Sequence, residues 1–259
     1  MTHAERRAAL EAIASEVRAC TRCRLASGRT NAVPGEGSPD TEVVFVGEGP
    51  GYNEDRLGRP FVGRAGGVLM ELLGSVEWRR EDVFITNVVK CRPPSNRDPE
   101  PDEIAACAPY LHRQLEAIDP ALVVTLGRFS LGTFMPGTRI SQVHGTVRPV
   151  DPETGAADAT VLALYHPAAA DRSPDVKRQS FEDIGHAPTA LLEARARRAA
   201  RSNTGDPGIN AADPGTNAGS TNVVSANAVV GVMATPGVAT VTIDLTTDDD
   251  PAAADLTIF

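Results

Sequence analysis

Four short stretches set what this chain can fold into: "TEVVFVG" (41–47), "DVFITNVV" (82–89), "ALVVTLG" (121–127) and "ATVLALYHP" (159–167). Each is a nearly continuous apolar run, the pattern of strands buried on both faces. Helical patterns separate them: "AGGVLMELLGSV" (65–76), "PDEIAACAPYLHRQLEAI" (101–118) with Pro101 suited to a first turn, a short helix from Arg128, and a closing helix over "DVKRQSFEDIGHAPTALLEARARR" (175–198). The alternation predicts an α/β fold, a three-layer α/β/α sandwich around a mostly parallel central sheet. In such folds function gathers at the carboxyl ends of the strands.

After "LLEARARRAARS" the composition changes. From Asn203 to Asp250 the chain is mostly Gly, Asn, Thr, Ala, Pro and Val with no aromatic residue, and such a segment cannot bury enough surface to fold. The expected organisation is a domain over 1–200 and a disordered tether over 201–259, with a small docked strand open for "VVGVMATPGVATVTIDL". The tether from Arg201 on holds seven Asp and one Arg, so it carries −6 of the net charge of −9 and leaves −3 for the first 200 residues. That balance excludes no nucleic-acid partner, because a local basic face suffices to hold phosphates. No apolar run approaches the roughly 18 residues of a membrane helix, and the start is charged and amphipathic. A soluble, cytoplasmic monomer with no membrane partner is expected.

In a reducing compartment the four cysteines, Cys20, Cys23, Cys91 and Cys107, are candidates for core thiols or metal ligands rather than disulfides. Cys20 and Cys23 lie two residues apart in "CTRC", a spacing that lets both reach one metal centre. Cys91 sits in "TNVVKCRPPSNRDP", where the chain leaves a strand and meets two prolines, a place for a ligand rather than for filling. Spacing alone leaves zinc and an iron-sulfur cluster open.

Three strand ends carry unusual chemistry: "GEGPGYNED", "TNVVKCRPP" and "HPAA". Singly, a Gly-rich turn is most often a turn and a His-Pro most often structural, but three such ends on one sheet rim point to a site. "GEGPG" has neither the Lys-Ser/Thr of a P-loop nor a dinucleotide fingerprint. Together "GEGPGYNEDRLGRPFVGRAG", "TNVVKCRPPSNRDP", "YHPAA" and the cysteine pattern resemble the family 4 uracil-DNA glycosylases, the iron-sulfur type, in the family's order from about Ala14 to Arg198.

The resemblance implies a DNA-repair hydrolase whose partner is uracil-containing DNA, at times nucleoid-associated, with a [4Fe-4S] cluster on Cys20, Cys23, Cys91 and Cys107. It implies that Phe61 stacks on the flipped uracil, although by itself Phe61 reads as a core residue, and that Asn87 reads the base edge. His166 falls beside uracil O2, and Glu48 on the sugar side with Gly47 and the turn Gly49-Pro50-Gly51, where small residues admit backbone amides. Glu54 aligns with a position that crowds the thymine methyl, a role open to Tyr52 as well, and Arg92 is placed to contact phosphate. With Lys90 and Lys177 as its only lysines the chain is poorly supplied for a Schiff base, so a monofunctional enzyme leaving an abasic site is expected. The rival is a non-catalytic or altered-specificity member of the fold that binds damaged or single-stranded DNA.

Two departures stand out. Where the family commonly carries bulky apolar residues and then Arg as a wedge, this chain has Ala169, Ala170 and Asp171 before Arg172, which favours single strands. The Arg-rich insertion with which one relative bonds its abasic product is missing after "TNVVKCRPP", so ordinary turnover is expected. At the far end, "DLTIF" resembles peptides that bind the bacterial sliding clamp and offers Leu256, Ile258 and Phe259 as contacts.

Overall fold

The computed structural model describes residues 1–204 except residue 157. The tether beyond Thr204 and the clamp-type peptide at Leu256, Ile258 and Phe259 lie outside the described residues.

In chain order the elements are α1 (His3–Ala19), β1 (Glu36–Gly37), β2 (Val43–Gly47), α2 (Tyr52–Leu57), α3 (Arg64–Ser75), β3 (Phe84–Asn87), α4 (Pro101–Ile118), β4 (Leu122–Leu126) and α5 (Arg128–Phe134). They continue as α6 (Ile140–Val143), β5 (Val147–Pro149), β6 (Thr160–Leu164), α7 (Pro167–Arg172), α8 (Pro174–Ile184) and α9 (Ala187–Thr204). The sheet order is β1-β3-β2-β4-β6-β5, with β3, β2, β4 and β6 parallel and the two edges antiparallel. Every residue of β2, β3, β4 and β6 is buried, as the continuous apolar runs require.

The two faces build separate cores. Val44, Val46 and Val123 pack with α1 and α4 residues such as Val17 and Leu115, while Phe45, Ile85 and Val124 pack with α3 and α9 residues such as Leu69, Leu72 and Ala190. Alternate residues of one strand thus feed opposite layers.

One expectation is corrected. The closing helix is two helices, because Gly185 caps α8 and Pro188 lacks the N–H that an unbroken helix needs there; within α9 it occupies the first turn, where that N–H has no partner to lose. The second helix runs through Thr204. No helix among the described residues is long and apolar enough to cross a membrane.

Candidate active site

The carboxyl ends of β2 and β3 lie side by side, with Gly47 paired to Asn87. Beyond the strands, the N–H groups of Val88 and Val89 donate to the carbonyls of Gly47 and Glu48 at 3.0 and 3.1 Å, so the two loops leave the sheet together. Gly47 has no space for a side chain: a Cβ there would stand 2.4 Å from Asn87 Oδ1 and 2.6 Å from Phe61 Cζ. Asn87 and Phe61 therefore both lie against Gly47. Asn87 is 1% exposed, and its Oδ1 is buried without a hydrogen-bond partner. A desolvated acceptor without a donor costs about 1–3 kcal/mol, and such an atom marks a place built for a ligand.

Phe61 lies 6.0 Å from His166, ring centroid to ring centroid, at 33°. Its φ is +49°, a conformation that a bulky aromatic residue holds only when its surroundings force it. Those surroundings are visible. Arg80 donates to the carbonyls of Pro60 and Phe61 and pairs with Glu36 at 2.7 Å, while Glu54 Oε1 accepts the N–H groups of Val62 and Gly63 at 2.9 and 2.8 Å. The other oxygen of Glu54 accepts Gly51 N–H at 3.1 Å. Both oxygens of Glu54 thus tie the Gly51 turn to the Phe61 loop.

His166 caps α7, and its Nδ1 accepts the N–H of Ala168 at 3.1 Å. Burial, with Arg172 adding to it, pushes the imidazole down to about 4. It is neutral at pH 7 with its proton on Nε2, a donor. Gly127, at φ +90°, faces it so closely that a Cβ would meet His166 Cβ at 2.8 Å.

Glu48 follows Gly47 and is half-buried. Burial first, and then the Asp98 carboxylate, raise it to about 7, while Arg128, which pairs with Asp98, opposes the shift. Gly49 lies against the Val89 side chain. Tyr52, by contrast, is 55% exposed. Asp171, at the position expected to carry a wedge, pairs with Arg64 at 2.8 Å.

All four cysteines line one small cavity, together with Val17, Arg29 and Tyr110. Among the described residues no three His, Cys, Asp or Glu side chains are grouped so as to hold a single metal ion. Three N–H donors reach the sulfurs: Arg29 Nη1 to Cys91 at 3.0 Å, Lys90 N to Cys107 at 3.3 Å and Arg22 N to Cys20 at 3.4 Å. Burial raises the Cys107 thiol to about 11. Lys90 stands between the two regions. Its Nζ, on a residue 1% exposed, donates to Thr86 Oγ1 (2.6 Å), Gln114 Oε1 (2.7 Å) and the Asn87 carbonyl (2.8 Å), and burial pushes it down to about 8.

Sequence reasoning passed over Arg80, Asp98, Gly127 and the bonds of Lys90. Only Gly127, a glycine directly after a strand and before a helix, carried a readable signal.

The Uracil DNA glycosylase superfamily model matches residues 34–185. The Type-4 uracil-DNA glycosylase of Archaeoglobus fulgidus is 47% identical over 184 residues, 68% of this chain and 92% of that protein. The Type-4 uracil-DNA glycosylase of Thermotoga maritima is also 47% identical, over 70% of this chain and 94% of its own length. A Type-5 uracil-DNA glycosylase of Thermus thermophilus is 32% identical over 52% of this chain and 68% of that protein.

Proposed function

The chain belongs to the uracil DNA glycosylase superfamily, and from that membership we propose how it acts: it is a uracil-DNA glycosylase, a hydrolase that cuts the N-glycosidic bond of uracil in DNA and leaves an abasic site. The observation that carries the reading of its site is the buried, unpartnered Oδ1 of Asn87 beside Phe61.

A base stacked in DNA cannot reach a buried amide, so the nucleotide is extruded and its ring lies against Phe61. Asn87 Oδ1 accepts uracil N3–H and the amide nitrogen donates to O4. Cytosine presents an acceptor at N3 and a donor at C4, which leaves both amide groups facing like partners. His166, with Nδ1 occupied by Ala168 N–H, directs Nε2–H at O2, where negative charge develops as the bond breaks. Glu48, near 7, is poised to orient water and to favour the positive sugar centre in its ionised form. Glu54 has both oxygens engaged by backbone N–H groups and acts by holding the Phe61 loop.

The lysines support a monofunctional reaction. Lys90 is buried on three oxygen acceptors, and Lys177 pairs with Glu71 at 2.6 Å.

The thiol cavity suits a [4Fe-4S] cluster held by Cys20, Cys23, Cys91 and Cys107. All four thiols line one cavity and three of them accept N–H donors, a setting that fits thiolate ligands of a cluster. When bound, the cluster joins the end of α1, the loop after β3 and α4 through metal–thiolate bonds. Purified protein should contain iron and acid-labile sulfide and absorb in the visible range, and a colourless zinc protein contradicts this. The peptide at Leu256, Ile258 and Phe259 is proposed as a sliding-clamp contact, and removal of the last five residues should abolish clamp binding.

The activity is tested by incubating the protein with a uracil-containing oligonucleotide and cleaving abasic sites with alkali. Cleavage at the uracil position supports the reading, and intact strands contradict it.

A further inference from the structure

Tyr52 opens α2, three residues after the Gly49 that follows Glu48, and exposes 55% of its surface. Two guanidiniums lie over its ring, Arg92 at 5.2 Å and Arg56 at 5.7 Å from the centroid. Arg92 Nε donates to the Asn96 amide oxygen at 2.7 Å, and no carboxylate among the described residues pairs with either arginine. Their neighbours differ: Arg59 is taken by Glu36, Arg64 by Asp171, Arg97 by Glu103 and Arg128 by Asp98. In a chain with net charge −9, these two cations stand uncommitted at the rim of the site.

Their position follows from the loops. Arg92 belongs to the segment after β3 whose Val88 and Val89 bond the carbonyls of Gly47 and Glu48, and Gly49 lies against Val89 and Pro93. Arg56 and Tyr52 rise from the helix that begins at the other end of that turn. A guanidinium held on an aromatic ring keeps its planar fork oriented and loses less freedom when it binds. With both cations over the ring, this surface is built for anionic oxygens rather than for a stacked base.

We propose that Arg56, Tyr52 and Arg92 form a platform that grips the phosphodiester backbone of the uracil-bearing strand beside the extruded nucleotide. This rests on the glycosylase reading above. The platform touches one strand, so it serves single-stranded and duplex substrates alike.

The test is the salt dependence of KM for a uracil-containing duplex, measured for wild type, Arg56→Gln, Arg92→Gln, Tyr52→Leu and Tyr52→Phe. Each phosphate contact contributes about 0.9 to the slope of log affinity against log salt, so each arginine variant should lower the slope by about 1. Tyr52→Leu should lower it and Tyr52→Phe should keep it, because the ring and not the hydroxyl holds the cations. Arg56→Gln lies on a different element from Cys91, which separates the result from any loss of the thiol centre. A wild-type slope in Arg56→Gln, or equal slopes for the two Tyr52 variants, overturns the platform while leaving the glycosylase reading intact. Absence of uracil excision by the wild type overturns that reading instead.

Discussion

A Cβ at position 47 would stand 2.4 Å from the amide oxygen of Asn87, so β2 passes Asn87 with no space for a side chain. Gly47→Ala should therefore push Asn87 and Phe61 apart. Overpacking of this kind costs about 1–3 kcal/mol, and a misplacement near 1 Å costs about 100-fold in rate. Single-turnover excision together with thermal melting checks both, and near wild-type turnover contradicts the contact.

Asn87→Asp should loosen the distinction between uracil and cytosine. A protonated carboxyl presents a donor and an acceptor in either order, whereas an amide keeps its acceptor on the oxygen and its donor on the nitrogen. Uracil excision is expected to fall by about 100-fold or more while the uracil-to-cytosine ratio narrows. Paired assays on two oligonucleotides that differ only at the target base measure this, and an unchanged ratio removes Asn87 from the role.

The pH profile should show a single acid limb near 7, that of Glu48, because His166 is already neutral above about 4. Asp98→Asn removes a carboxylate that raises Glu48 and frees Arg128, so the limb should move to lower pH. A limb that stays in place contradicts the assignment. The same shift acts on stability. With its folded value raised from 4.5 to about 7, Glu48 contributes stability that is fully present below 4.5 and lost as pH rises through 7. Glu48→Gln should thus be less active yet melt higher than wild type at pH 8, by roughly 2–4 °C, with the difference vanishing near pH 4.

Arg80→Ala should release the Phe61 loop. Arg80 holds the carbonyls of Pro60 and Phe61, and without it the φ of +49° has less to enforce it. Relaxation of such a residue recovers about 1–3 kcal/mol of strain, so stability should fall little while KM for uracil DNA rises. Arg80→Lys, which keeps the charge but not the fork, should rescue only part of the loss. Equal effects of both variants on melting and KM would assign Arg80 a purely structural role.

Much of the site is readable from the chain because its parts are local. Asn87 and His166 sit at or just past the ends of buried strands, and Glu54 stands three residues after Gly51, at a capping position of α2. Arg80 could not be read this way: its partners Phe61 and Glu36 are 19 and 44 residues away, and nothing in "VEWRRED" marks which arginine turns inward. Edge strands β1 and β5, two and three residues long, are too short to show a period. The break between α8 and α9 was legible at Gly185 and Pro188, but the apolar spacing on either side continues across it.

The central claim is that Phe61, Asn87, His166 and Glu48 surround one pyrimidine. Crystals soaked with free uracil test it most directly. Uracil should lie against Phe61, with N3 within hydrogen-bond distance of Asn87 Oδ1 and O2 within reach of His166 Nε2. Uracil bound elsewhere, or an Asn87 Oδ1 that stays unpartnered in the complex, would contradict it.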